Sequence, residues 1–171
     1  METEAAETWG EPSTKTVSWW WAPESMRPHL AGLSGLDYVQ GMIDGHFPPP
    51  PFASILGLRL SHVSPGEAVF HCTPDESQFN PIGLVHGGVL CTLLDSAMGV
   101  AVQTQLDAGV AYASIEMKVS FLRPLPADGS EIEVRGRALK IGRKVAFAEG
   151  HAYDSQGRLL GHGTQSMSRV I

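Results

Sequence analysis

The residues best suited to chemistry lie in one stretch, Phe79 to Gly99, FNPIGLVHGGVLCTLLDSAMG. From Phe79 to Leu106 the only formal charge is Asp95. A carboxylate in apolar surroundings is costly unless it is paired or hydrogen-bonded, so it is either partnered or kept for a reaction. Nine residues before it stands His86, followed by Gly87 and Gly88. If this run is a helix starting near His86, its first backbone N–H groups lack intrahelical partners and lie at the positive end of the helix dipole. Two glycines there leave room for a ligand, which makes the turn a natural site for a developing oxyanion. His86 could donate a hydrogen bond, and Asp95 could act as general base on water or as nucleophile. His86 could equally cap the helix, and Asp95 could bond a neighbouring chain.

The helix that must carry these groups is expected from about His86 to about Gln105. Nine steps of about 100° leave His86 and Asp95 half a turn out of phase and roughly 13 Å apart along the axis. They cannot serve one small substrate within one chain. If both are catalytic, two chains build the site, and a two-fold dimer would form it twice. Leu90, Leu93, Leu94, Ala97 and Ala101 make a plain core stripe. Cys91, Thr92, Met98 and Gly99 surround Asp95 on the other side.

Around this helix the sequence predicts strands. Leu56–Val63 and Glu67–Thr73 are joined by Ser64-Pro65-Gly66. In Ala111–Leu122 the residues Ala113, Ile115, Met117, Val119 and Phe121 alternate with Ser114, Glu116, Lys118 and Ser120, which sets Ser114 on the polar side. Glu131–Lys140, Arg143–Asp154 and Arg158–Val170 follow. Ala146, Ala148, Gly150 and Ala152 share a face small enough for a helix to approach closely. One buried helix with an antiparallel meander is an α+β pattern in which the sheet wraps the helix.

The first third reads as an appendage. Residues 1–18 are polar and expected to be loose. Trp19-Trp20-Trp21 is expected to pack on the domain's own surface. Ser34 suits the N-cap of a short helix with Leu36, Val39, Met42 and Ile43 on one stripe, ended by Gly45. Pro48–Pro51 suits an extended connector. The division is thus 1–52 as N-terminal extension and 53–171 as main domain.

Composition narrows the function classes. The chain has 171 residues, 43% hydrophobic and 18% charged, which suits one domain with a sizeable core. A net charge of −6 with no Lys/Arg run speaks against a nucleic-acid surface. The acidic start lacks the features of a signal peptide. The Gly83–Val102 run holds His86, Asp95 and several glycines, which argues for a core helix rather than a membrane span. Two cysteines, Cys72 and Cys91, read as reduced thiols of a cytoplasmic protein. The histidines show no tight ligand spacing and HExxH, CxxC and GxSxG are absent, so neither a metal nor a serine nucleophile elbow is expected.

The run Asn80-Pro-Ile-Gly-Leu-Val-His86-Gly87-Gly88…Asp95 resembles the motif of hotdog-fold acyl-CoA thioesterases of the phenylacetate-pathway (PaaI) type. Ser114-Ile-Glu-Met-Lys-Val-Ser-Phe-Leu-Arg-Pro and Ile141-Gly-Arg-Lys are similar to the same family. The likeness runs from about Phe52 to the C-terminus. It implies a five- or six-stranded antiparallel sheet around one long helix, dimers often paired into tetramers, and sites at the dimer interface. It implies hydrolysis of a thioester to free acid and coenzyme A, with no further cofactor, as in fatty acid metabolism. Asp95 then matches the catalytic carboxylate and Gly87 the residue whose N–H polarises the thioester carbonyl. Asn80 and His86 match residues that position the thioester or the water, and Ser114 one that supports the nucleophile. Gly88 would line the substrate site. Coenzyme A phosphates need cations, for which Arg123, Lys140, Arg143 and Lys144 are candidates. Two other functions stay open: a hotdog acyl-CoA hydratase or dehydratase, and a non-catalytic acyl-CoA-binding module.

Overall fold

The computed structural model describes residues 10–170; the expectation for residues 1–9 lies outside them. Three short helices come first: α1 (Pro23–Gly32), α2 (Gly35–Ile43) and α3 (Pro51–Leu56). Strands β1 (Arg59–Ser64) and β2 (Glu67–Cys72) and a 3-10 turn (Glu76–Gln78) lead to the long helix α4 (Gly87–Gln103). Strands β3 (Tyr112–Phe121), β4 (Ile132–Ile141), β5 (Val145–Tyr153) and β6 (Leu159–Arg169) complete the chain. All six strands join one antiparallel sheet in the order β1-β2-β4-β5-β6-β3. Of the five- or six-stranded α+β sheet expected around one helix, six strands form, with a helical N-terminal portion.

Helix α4 lies against the inner face of the sheet because small residues let it. A Cβ placed on Gly136 of β4 would sit 2.1 Å from the Ala97 carbonyl oxygen. On β5, Ala146, Ala148 and Ala152 are buried as expected, and Gly150 faces Leu94 and Met98. Leu90, Leu93, Leu94, Ala97, Met98, Ala101 and Val102 are fully buried. Met98 therefore belongs to the core stripe, not to the face of Asp95. The remaining face, Cys91, Thr92, Asp95, Ser96 and Gly99, is half-buried.

The C-terminal end of α4 is tied to the first hairpin. Buried Thr104 donates from Oγ1 to the Ala101 carbonyl and accepts from the Gly66 N–H, both at 2.7 Å. Gly66 has φ +84, so the Ser64-Pro65-Gly66 turn needs a residue without a Cβ there.

The N-terminal portion departs from expectation in three places. Ser34 does cap α2, accepting from the Asp37 N–H at 3.1 Å, and Val39 is buried. The connector, however, turns into helix α3 at Pro51. Proline suits a first helical position, and Gly57 at φ +66 stops the helix in the left-handed conformation. Residues 56–58 are thereby lost to β1. Helix α1 was not anticipated. Trp19, Trp20 and Trp21 stand 54%, 66% and 62% exposed instead of packing on the domain. The segment before them is held by Lys15, whose Nζ lies 2.6 Å from Asp75 Oδ2.

Candidate active site

The start of α4 is built by the loop before it. Phe79 and Val85 form an isolated antiparallel bridge, and the His86 N–H donates to the Gln78 carbonyl at 2.8 Å. Within the loop, Asn80 Oδ1 accepts from the N–H groups of Ile82 and Leu84, each at 3.1 Å. Asn80 thus shapes the turn through its oxygen, and its amide donors have no acceptor among the described residues. His86 is the N-cap rather than the first helical residue. Its Nδ1 accepts from the Gly88 N–H at 2.9 Å, so in the neutral ring the proton sits on Nε2. The Val89 N–H is taken by the His86 carbonyl. That leaves the Gly87 N–H, which has no acceptor among the described residues, at the positive end of a five-turn helix.

Two grooves flank this helix start. One, of about 260 Å³, is lined by Gly87, Asn80, Leu84, Leu90, Phe121 and Arg123. The other, of about 350 Å³, is lined by His86, Gly88, Phe52, Leu56, Phe79 and Thr92. Asp95 lines neither. It stands eight residues beyond Gly87, about 12 Å along the axis. A larger groove of about 490 Å³ holds His71, Glu131, Glu133, Arg135 and Tyr153 on the outer face of the sheet. Its charges already pair with one another, as in Arg135 Nε to Glu133 Oε1 at 2.6 Å, and none of the site residues reach it.

Asp95 is held by two strands. Ser114 Oγ donates to Asp95 Oδ1 at 2.8 Å. Gln165 Nε2 donates to the same oxygen and, at 2.7 Å, to Ser114 Oγ. Among the described residues Asp95 has no ion pair. The contact with Ser114 overturns the simple alternation of β3. The register with β6 jumps between Ser114 and Glu116, opposite Met167 and Ser166, so Ile115 is an extra residue. Such a β-bulge reverses the phase of every side chain before it. Met117 and Val119 still pack on the core, but ahead of the bulge Ser114 turns to the helix and Ile115 is exposed.

Gln165 escaped the sequence reading. It sits on the inner face of β6 with Gly161, Gly163 and Met167, and is 2% exposed. The signal was present: a polar side chain at an inward phase of a strand needs a buried partner.

The candidate cations divide. Arg123 Nη1 donates to the Leu159 carbonyl at 2.5 Å, beside the Gly87 groove. Arg143 and Lys144, in the β4–β5 hairpin, line a groove of about 420 Å³ with Ser168, Arg169 and Val170. Tyr112 donates its hydroxyl to the Gly142 carbonyl and pins that hairpin to the start of β3. Lys140 stands opposite Phe147 on the outer face and does not join that groove. Lys140, Arg143 and Lys144 make no ion pair among the described residues, unlike Lys15, Arg59, Arg135, Arg137 and Arg158.

A single long helix clasped by a six-stranded antiparallel sheet is a hotdog fold of the PaaI-like type. The chain belongs to the thioesterase superfamily, whose model matches residues 82–160, and it is a thioester hydrolase. It is 33% identical over 116 residues to a Halobacterium salinarum protein that carries a provisional esterase name, covering 65% of this chain and 72% of that one. Human acyl-coenzyme A thioesterase 13 is 27% identical over 114 residues, covering 66% of this chain and 80% of that protein. Among solved structures, the TT0310 protein of Thermus thermophilus is 30% identical with a TM-score of 0.65, over 71% of this chain and 99% of that one. The E. coli PaaI protein from the phenylacetic acid degradation operon has a TM-score of 0.70 at 20% identity, over 81% of this chain and 94% of that one, a likeness of fold. Among the described residues no helix is long and apolar enough to cross a membrane.

Proposed function

We propose that this chain hydrolyses acyl-CoA thioesters, with Asp95 as general base or nucleophile and the Gly87 N–H as donor to the oxyanion. The observation that carries the reading is the Asp95 carboxylate itself. It is half-buried on the open face of α4 and, among the described residues, held by neutral donors with no cation to quench it. As base, it takes a proton from water while the hydroxide adds to the thioester carbonyl. As nucleophile, it adds to that carbonyl itself, and water then cleaves the mixed anhydride. In both routes the carbonyl oxygen becomes an anion that a helix-start N–H stabilises, the C–S bond breaks and the thiolate leaves. No cofactor is consumed.

The site is built from two chains, with Asp95 from one and the His86-Gly87-Gly88 turn from its two-fold partner. Three features support this. Asp95 and Gly87 are too far apart on one helix to share a carbonyl. A Cβ on Gly99, one turn past Asp95, would meet nothing within 4 Å. Strand β3 is a sheet edge whose Ile115 is 58% exposed, a surface that calls for a partner. His86 Nε2 and the Asn80 amide then orient the thioester or the water. Arg143 and Lys144, without an ion pair among the described residues, suit the phosphates of coenzyme A. The free thiols Cys72 and Cys91 suit a cytoplasmic setting.

The test is release of free thiol from a panel of acyl-CoAs, with variants mixed in pairs. Asp95→Ala and Gly87→Pro, which removes the N–H at a position that tolerates proline, are each expected to be inactive. Unfolded and refolded together, they regain about one quarter of the wild-type rate, since half the dimers are mixed and each has one intact site. Full activity of Asp95→Ala ends the catalytic assignment. No recovery in the mixture ends the shared site.

A further inference from the structure

A polar amide on the inner face of a sheet needs a reason. Gln165 shares its row with Gly161, Gly163 and Met167, and apolar side chains would serve packing there better. Its Oε1 is buried and finds no partner among the described residues. Folding alone gains nothing from that oxygen. What the amide supplies is at the other end. Nε2 carries two hydrogens, one for Asp95 Oδ1 and one for Ser114 Oγ, and Ser114 passes its own hydrogen to the same Oδ1. The triangle also dictates the amide's orientation, because a flip would set Oε1 against the carboxylate.

The consequence is an unequal carboxylate. Oδ1 accepts both hydrogen bonds, and Oδ2 accepts none among the described residues. An oxygen that accepts two hydrogen bonds is the poorer base and nucleophile; its twin keeps free lone pairs. We propose that Gln165 is a positioning residue for the hydrolysis: with Ser114 it clamps Oδ1, fixes the Asp95 rotamer and leaves Oδ2 to take the proton from water or to attack the carbonyl. This rests on Asp95 being the catalytic carboxylate. The groups facing Asp95 from β3 and β6, Ser114 and Gln165, do not ionise. Glu116 and Lys118 lie on the outer face of β3, and the nearest ionisable group on α4 is Cys91, one turn away.

Single and double variants test it. Gln165→Met keeps the length and removes both donors; Gln165→Glu keeps the shape and sets an acceptor against Asp95; Asp95→Asn is the control. In Gln165→Met, kcat falls about tenfold or more while KM changes less than threefold, as for loss of hydrogen bonds to a reacting anion. Gln165→Glu lowers kcat at least as far, and it stands in should the methionine variant fail to fold. A Ser114→Ala, Gln165→Met double variant loses less than the product of the single effects, since both donors share one oxygen. A folded Gln165 variant with kcat within twofold of wild type overturns the proposal. If Asp95→Asn keeps full activity, the fault lies instead with Asp95 as catalytic group.

Discussion

Ser114 and Asp95, 19 residues apart on different elements, meet at 2.8 Å because Ile115 is an extra residue in the pairing of β3 with β6. Deleting Ile115 should make the pairing with β6 regular and leave Ser114 facing the helix, because Ser114 then stands next to outward-facing Glu116 and still opposite Met167. The expected result is turnover that the deletion spares and that Ser114→Ala lowers about 10- to 100-fold, as for a hydrogen bond to a charged group. Far-UV circular dichroism should stay unchanged. Activity within twofold of wild type in Ser114→Ala would show that Ser114 does not act through Asp95.

The close approach of α4 to the sheet sets a stability prediction. Gly136→Ala places a methyl 2.1 Å from the Ala97 carbonyl and 2.7 Å from the Met98 nitrogen, both backbone atoms that cannot rotate away. Overpacking of this kind costs about 1–3 kcal/mol. For a chain of this size the melting temperature should fall by about 5 °C. Thr164→Ala, exposed on β6, serves as control and should melt within 1–2 °C or so of wild type. Equal melting of the two variants would deny the contact.

Burial pushes the Cys72 thiol up to about 11, and the Asp75 and Glu131 carboxylates add to the rise while Lys15 opposes it. The folded value lies above the 9.0 of an ordinary thiol, so the neutral thiol favours the folded state below pH 9. That contribution is lost as pH rises through about 11. In a Cys91→Ser background, iodoacetamide at pH 8 should modify Cys72 only as fast as the protein unfolds. The rate, read by mass spectrometry, should follow the urea transition. Rapid modification of the native protein would contradict the burial of Cys72 beside the Leu56 carbonyl.

Reversing the hairpin charges separates coenzyme A from the acyl group. Arg143→Glu with Lys144→Glu should raise KM for an acyl-CoA about tenfold, with kcat little changed and the difference shrinking at high salt. Hydrolysis of the matching N-acetylcysteamine thioester, which has no phosphates, should be unaffected. Equal losses on both substrates would remove these residues from phosphate recognition.

Much of this could be read in the chain before folding. The apolar stripe Leu90, Leu93, Leu94, Ala97, Ala101 has the period of a helix, and the small face of β5 announced where that helix would rest. The isolated charge of Asp95 and the glycines after His86 stood out because chemistry at those spacings needs specific residue types. Those are local properties, written in residue order. The bulge at Ile115 is different. It is an extra residue in one strand relative to its neighbour, so it exists only in the pairing of β3 with β6, and no periodicity within β3 reveals it. The same holds for Gln165. Its inward phase was legible, but its partners lie 70 and 51 residues away and become partners only when β6 and β3 are laid beneath α4. Sequence determined which groups could react; the register of two strands decided which of them hold Asp95, because hydrogen bonds form across space and not along the chain.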